Sequence, residues 1–226
     1  AETYINDIVG RHKVKHKEEL EELLNILSSG IGSLTNPNKL SNTFKSVKKV
    51  TISPKTIKNY LDYLSDAFLI EGAVRFDIKG RKYIGTPLKY YFCDSGLRNA
   101  RINFRQIEET HTMENVIYNE LRRRGFNVDV GVVVVNTRDE REKKVRKQYE
   151  VDFVCNKGSL RYYVQSAFAI PDREKLKQEQ RPLSYIDDSF KKIIIVKETP
   201  SPWYSEEGTL IMSVFDFLLD PNSMQI

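Results

Sequence analysis

The segment Tyr149-Glu150-Val151-Asp152-Phe153-Val154-Cys155, with Leu160-Arg161-Tyr162-Tyr163-Val164-Gln165-Ser166-Ala167 following after residues 156–159, decides how the second half of the chain folds. Both runs are rich in β-branched and aromatic residues and alternate in character, as strands do. Residues 156–159 read as a tight four-residue turn centred on Lys157-Gly158. Alternation puts Glu150 and Asp152 on one face of the first strand, and Tyr163, Gln165 and Ala167 on one face of the second. That turn would set Asp152 about opposite Tyr163, with Gln165 as its diagonal neighbour.

Around this hairpin the rhythm alternates between helix and strand. Met113, Val116, Ile117 and Leu121 predict a helix ending at Gly125, followed by a strand over residues 128–136. Residues 137–147 are nearly all charged and read as an exposed, mobile connection. A polar helix from 171 to about 187, strands at 193–196 and 209–213 and a closing helix at 214–219 complete the pattern. Helix, three antiparallel strands, helix and strand is an α/β arrangement of the restriction-endonuclease-like type.

Residues 1–110 differ, with three predicted helices and then a hairpin. Leu20, Leu23, Leu24 and Leu27 share one helical face, while Gly30 and Gly32 end that helix. A short helix carries Leu40, Phe44 and Val47. Ser53-Pro54 opens a third, since serine caps free amides and proline fits the first helical position. Its buried stripe is Ile57, Leu61, Leu64 and Phe68, which leaves Lys55, Thr56, Lys58, Asn59 and Asp62 outside. Strands at 69–76 and 82–92 flank Asp77-Ile78-Lys79-Gly80-Arg81. The arrangement matches a winged helix-turn-helix, with its third helix for a major groove and its wing for the flanking backbone. The expected domains are therefore 1–110, a winged helix, and 111–226, a restriction-endonuclease-like α/β domain.

Composition fits such a chain. Of 226 residues, 40% are apolar and 30% charged, a globular balance. No apolar run approaches the roughly 18 residues that cross a bilayer, and the start lacks an apolar signal region. Cys93 and Cys155 read as buried thiols rather than a disulfide, which points to the cytoplasm. The net charge of +5 lies wholly in the first half: residues 1–110 carry 18 Lys/Arg against 13 Asp/Glu, the remainder 18 against 18. Between Glu22 and Asp62 there is no acid but there are six lysines, at 39, 45, 48, 49, 55 and 58. Such a face suits a phosphate backbone or another acidic partner.

The chemistry of the hairpin is that of a metal-dependent nuclease with its tools removed. Hydrolysis of a phosphodiester with magnesium requires two or more carboxylates and a base or charge beside the attacking water. Asp152 offers one carboxylate, and Glu114, at the edge of its helix's apolar face, a second; Glu150 is a third candidate. Gln165 stands where an acid belongs and Ala167 where a lysine belongs. Both losses weaken metal binding and transition-state stabilisation. Glu114, Asp152 and Gln165 are therefore expected to be vestigial, with Asp152 and Gln165 hydrogen-bonding in a half-buried sheet, and no metal site is expected. No Gly-x4-Gly-Lys-Ser/Thr occurs to cradle a nucleotide, and no Gly-x-Ser-x-Gly elbow. His12 and His16 have helical spacing but no further ligand type beside them, so zinc is not expected.

Taken in order, Asp7-Ile8-Val9, Asn59-Tyr60-Leu61-Asp62-Tyr63-Leu64, Asp66-Ala67-Phe68-Leu69-Ile70, Asp77-Ile78-Lys79-Gly80, Lys89-Tyr90-Tyr91, Asp94-Ser95-Gly96-Leu97-Arg98-Asn99, Glu114-Asn115 with Glu120-Leu121, and Val151-Asp152-Phe153-Val154 with Tyr163-Val164-Gln165 resemble the C-terminal part of bacterial and archaeal AAA-type ATPases. The resemblance spans almost the full chain. It implies an N-terminal ATPase module, then a winged helix, then a restriction-endonuclease-like domain. In many members Gln replaces the acid before the catalytic lysine, so Gln165 follows a branch of that family. The ATPase module is absent from this sequence, which reads as a fragment. ATP and Mg²⁺ are expected only for that module, and no cofactor for these residues. The resulting expectation is a non-catalytic targeting or regulatory module. Its partners would be the ATPase module and DNA, with no membrane and an oligomer allowed. DNA would be met through Lys55, Thr56, Lys58 and Asn59 and through Lys79, Arg81 and Lys82 of the wing. The alternatives are a divergent Mg²⁺ nuclease using Glu114, Glu150 and Asp152, or a protein-interaction module with no nucleic-acid role.

Overall fold

Helices fill the first 66 residues because apolar side chains recur there every three or four positions, and each helix starts or stops at a residue suited to the task. The computed structural model describes residues 3–105, 108–138 and 143–225. Four α-helices open the chain where three were expected: α1 (Thr3–His12), α2 (Lys17–Ser29), α3 (Pro37–Thr43) and α4 (Pro54–Asp66), with a π-helical turn Phe44–Lys48 between the last two. The additional helix, α1, fully buries only Ile5 and Ile8, a stripe too short to stand out in sequence. Asn36 caps α3 by accepting from Lys39 N, and Ser53 caps α4 by accepting from Thr56 N at 3.1 Å. The leucines of α2 pack with Phe44, Ile57, Leu61 and Leu64 into one apolar cluster.

Strands β1 (Ile70–Asp77) and β2 (Lys82–Phe92) follow, then helices α5 (Ser95–Arg101) and α6 (Glu109–Arg123). The long hairpin of the second half is β3 (Asn127–Arg138), β4 (Lys144–Lys157) and β5 (Leu160–Ala167). Helix α7 (Arg173–Ser184), strands β6 (Lys191–Val196), β7 (Trp203–Tyr204) and β8 (Leu210–Ser213), and helix α8 (Val214–Leu219) close the chain. The eight strands form one mixed sheet in the order β2-β1-β3-β4-β5-β6-β8-β7. Helix α5 and strand β7 carried no sequence expectation. Residues 139–142 of the charged connection lie outside the described residues. Its flanks are strand rather than loop, since β3 and β4 pair as far as Arg138↔Lys144.

The chain divides into two units, residues 1–73 with 86–115, and 74–85 with 116–226. This differs from a simple boundary at 110. The hairpin tip Val74–Gly85, expected to be the wing of the first domain, belongs instead to the second unit. The cause is a parallel pairing of β1 with β3, in which Arg75, Phe76 and Asp77 face Val130, Gly131 and Val132. At Gly131 a β-carbon would stand 2.9 Å from both Val151 Cβ and Val154 Cγ2, so only glycine fits this register shift in β3. The second unit's core joins Val133, Val151, Tyr163, Leu183, Ile194 and Ile211. In the first unit, Asn115 Oδ1 accepts from Phe92 N at 2.7 Å and its Nδ2 donates to Phe92 O at 2.8 Å. One buried side chain thus satisfies the backbone groups at the end of β2 as a neighbouring strand would.

Candidate functional site

Strands β4 and β5 are joined by a two-residue turn, Gly158-Ser159, with Lys157 paired to Leu160 and Gly158 at φ +58°. The four-residue turn expected from the sequence is corrected by this pairing. Phe153 faces Val164 and Val154 faces Tyr163. Register therefore moves by two residues, which keeps every side chain on its predicted face and brings Gln165, not Tyr163, opposite Asp152. Tyr163 is buried and donates to Asp188 Oδ2 at 2.5 Å; burial first, then that carboxylate, pushes its hydroxyl up to about 12.

At Asp152 the backbone ladder between β4 and β5 gives way to side chains. Asp152 N donates to Gln165 Oε1 at 3.3 Å, and Ser166 N donates to Asp152 Oδ2 at 2.9 Å. Beyond this point Gln165, Ser166 and Ala167 pair with Ile194, Ile195 and Val196 of β6. Asp152 and Gln165 thus hold two diverging strands together.

Glu114 lies in the first unit and is spoken for there. Its Oε1 accepts from Lys89 Nζ at 2.9 Å and from the Tyr91 hydroxyl at 2.7 Å. Lys89 and Glu114 are both buried. Burial works to raise the Glu114 carboxyl, but the His111 imidazole, the Lys89 ammonium and the Tyr91 hydroxyl together hold it below the ordinary range. His111 Nδ1 stands 4.0 Å from Glu114 Oε2, too long for a hydrogen bond, so their attraction is one of charge. That attraction lifts the imidazole above its usual value against its partial burial.

Magnesium calls for several hard oxygen ligands. Asp152 with the neutral Gln165 carboxamide is a poor set, and Glu114 is occupied by an ammonium. Among the described residues no group of three or more His, Cys, Asp or Glu side chains gathers. The residues do not fit a catalytic magnesium. Incubating the protein with duplex or single-stranded DNA in Mg²⁺ or Mn²⁺ is expected to leave the substrate intact on a gel. Metal-dependent cleavage that disappears in Asp152→Ala would return this strand pair to hydrolysis.

The basic residues fall into two sets. On α3, the π turn and α4, Lys39, Lys45, Lys48, Lys49, Lys55 and Lys58 are all exposed, as is Asn59, with Thr56 half-buried. Lys58 pairs with Asp62 at 2.6 Å, and Lys48 with Glu22 at 3.0 Å. Thr56 Oγ1 shares a hydrogen bond with Ser53 Oγ at 2.8 Å. Lys45, Lys49 and Lys55 have no ion pair among the described residues. The second set, Lys79, Arg81 and Lys82, is exposed on the hairpin tip of the second unit, so it does not extend the helical face within one unit. Sequence reasoning missed Arg161, which half-buries itself on β5 beside Lys79 and Arg81 in a shared cleft. Its position in the same strand run as Gln165 was the available signal.

No helix among the described residues is long and apolar enough to cross a membrane. Residues 1–108 match the model of a "Domain of unknown function (DUF8612)". The chain is 36% identical over 218 residues to an "Uncharacterized protein" of Haemophilus influenzae, a match covering 95% of this chain and 49% of that protein. It is 27% identical over 208 residues to an uncharacterized protein of Methanocaldococcus jannaschii, covering 85% of this chain and 44% of that one. No solved structure matches. The chain thus spans about half the length of the curated relatives it matches.

Proposed function

We propose that this chain is a non-catalytic targeting module that meets duplex DNA on the solvent side of α3, the π turn and α4, within a longer protein whose other module hydrolyses ATP. The observation that carries the reading is the acid-free interval between Glu22 and Asp62 with its six exposed lysines. Within it, Lys45, Lys49 and Lys55 carry no ion pair among the described residues, so their charge is not spent inside the protein. Helix α4, fixed by its serine cap, presents Lys55, Lys58 and Asn59 on one side and buries Ile57, Leu61 and Leu64 on the other. In this reading the helices of the first unit act as the DNA reader without a wing of their own, since Val74–Gly85 belongs to the second unit, and the second unit acts as a restriction-endonuclease-like scaffold without hydrolysis. About half of each curated relative lies outside the matched region, which leaves space there for an ATPase module.

A gel-shift series across salt concentrations tests the DNA contact. Affinity is expected to fall linearly on a log–log plot, with a slope of about 0.9 per phosphate neutralised. No binding to duplex DNA at low salt would sink the reading. Binding that ignores salt would point instead to a protein partner.

A further inference from the structure

The hairpin tip, freed from its role as a wing, has a different neighbourhood within the second unit. Lys79 and Arg81 border an open cleft of ≈ 840 Å³, together with Arg161 and Phe190 and the Gly158-Ser159 turn. That volume is in the range of small-ligand sites, roughly 300–1,000 Å³.

Three features give the cleft a definite chemistry. Its cations are Lys79, Arg81 and Arg161, against two acids, Asp187 and Asp188. Both Asp188 oxygens already accept, one from the Tyr163 hydroxyl and the other from Phe190 N at 3.2 Å. Asp187 is 85% exposed and holds Lys79 only loosely, at 3.6 Å. Such a surface pair is worth little and yields readily to a competing anion.

The second feature is a flat, π-rich wall. The Arg161 guanidinium lies 5.4 Å from the Phe190 ring centroid and 5.5 Å from that of Phe76. Phe190 is 40% exposed and lines this cleft. An exposed ring beside a guanidinium is what a nucleobase stacks upon.

The third is that the cleft's walls are set before any ligand arrives. Gly80 N donates to Asp77 Oδ1 at 2.9 Å, and a β-carbon on Gly80 would come within 2.4 Å of Asp77 Oδ2. The turn bearing Lys79 and Arg81 is thereby held in one shape. Arg161 Nε donates to Asn156 Oδ1 at 2.7 Å, which fixes its fork in the same way.

We infer that this cleft binds a nucleotide, with phosphate on Lys79 and Arg81 and the base against Phe190 and Arg161. The nucleotide is either free or one unit of a single strand. The site is separate from the helical face proposed for duplex DNA, and it stands or falls without it.

The test titrates the full chain with fluorescently labelled octathymidylate, then competes with thymidine monophosphate and with inorganic phosphate. Phe190→Ala is expected to weaken binding at least about 5-fold, the loss of one base stack. Arg81→Glu is expected to weaken it and to lower the salt slope by about 0.7, the share of one single-strand phosphate. Lys177→Glu, an exposed change of equal charge on α7 outside the cleft, is the control and should leave both unchanged. Competition by the monophosphate supports a free nucleotide as ligand; binding of the oligomer alone supports a single strand. The inference is overturned if neither probe binds at low salt or if affinity survives both substitutions. It is also overturned if inorganic phosphate competes as well as the nucleotide, since the rings would then have no role. Both side chains are exposed, so the variants are expected to melt as the parent does.

Discussion

Exchanging Glu114 for Ala is expected to lower the folding free energy by about 3–5 kcal/mol, the usual cost of removing one partner of a buried ion pair. Lys89 is only 4% exposed, and with Glu114 gone its ammonium would keep its desolvation cost and lose the carboxylate that stands 2.9 Å away. The Tyr91 hydroxyl would lose the carboxylate it donates to at 2.7 Å. A urea titration followed by circular dichroism checks this, with a midpoint shifted well below that of the parent at unchanged slope. Replacing both partners, Glu114→Leu with Lys89→Met, is expected to recover most of the loss, because no orphaned charge remains.

The same pair gives a pH dependence with a definite sign. The carboxyl is held in the folded protein below its ordinary value of about 4.3. Its contribution is therefore complete above about pH 4.3 and is lost as the pH falls through the lower, folded value. The parent should lose stability over this acid range more steeply than the Leu/Met double variant. Equal acid profiles for the two would show that Glu114 does not carry the effect.

The second large effect concerns binding. The triple exchange Lys45→Glu, Lys49→Glu and Lys55→Glu is expected to cut affinity for duplex DNA by roughly 100-fold or more at low salt, with a clearly shallower salt slope. All three side chains are exposed, so the fold should survive. The same exchange at Lys191 and Lys192, on a strand of the second unit, is expected to have little influence. An equal loss there would mean that the helical face is not the binding surface. Lys58 is left out of the triple deliberately, since its partner Asp62 already spends its charge.

How much of this could be read in advance depended on the range of the interaction involved. The α4 cap was legible because Ser53, Pro54 and Thr56 are neighbours and act on one another directly. The β4–β5 pair was legible because alternation is local, although its turn proved shorter than expected. The two-residue error left every side chain on its proper face and concealed only the bracket that Asp152 and Gln165 form. The hairpin tip was misplaced because its parallel pairing to β3 joins residues more than fifty positions apart, and nothing local in Arg75-Phe76-Asp77 announces it. Glu114 reads as a spare carboxylate in the sequence for the same reason. Its partners stand on β2, 25 and 23 residues earlier. The sequence offered the residue types and faces, while the pairing that decides their roles came from distant segments.

The division of the chain, in which residues 74–85 and 116–226 form one unit and the rest the other, bears on how the two halves can be separated. The backbone passes between the units three times, within β1, within β2 and within α6. No single cleavage detaches one unit from the other, and a nick in the hairpin turn would leave all three crossings intact. A polypeptide of residues 111–226 alone would lack β1, and β3 would carry an open row of backbone donors and acceptors along a strand rich in valine. Such edges recruit other strands and promote aggregation. The two units are thus interleaved along one backbone, and a fragment cut at residue 110 would be a different molecule from either.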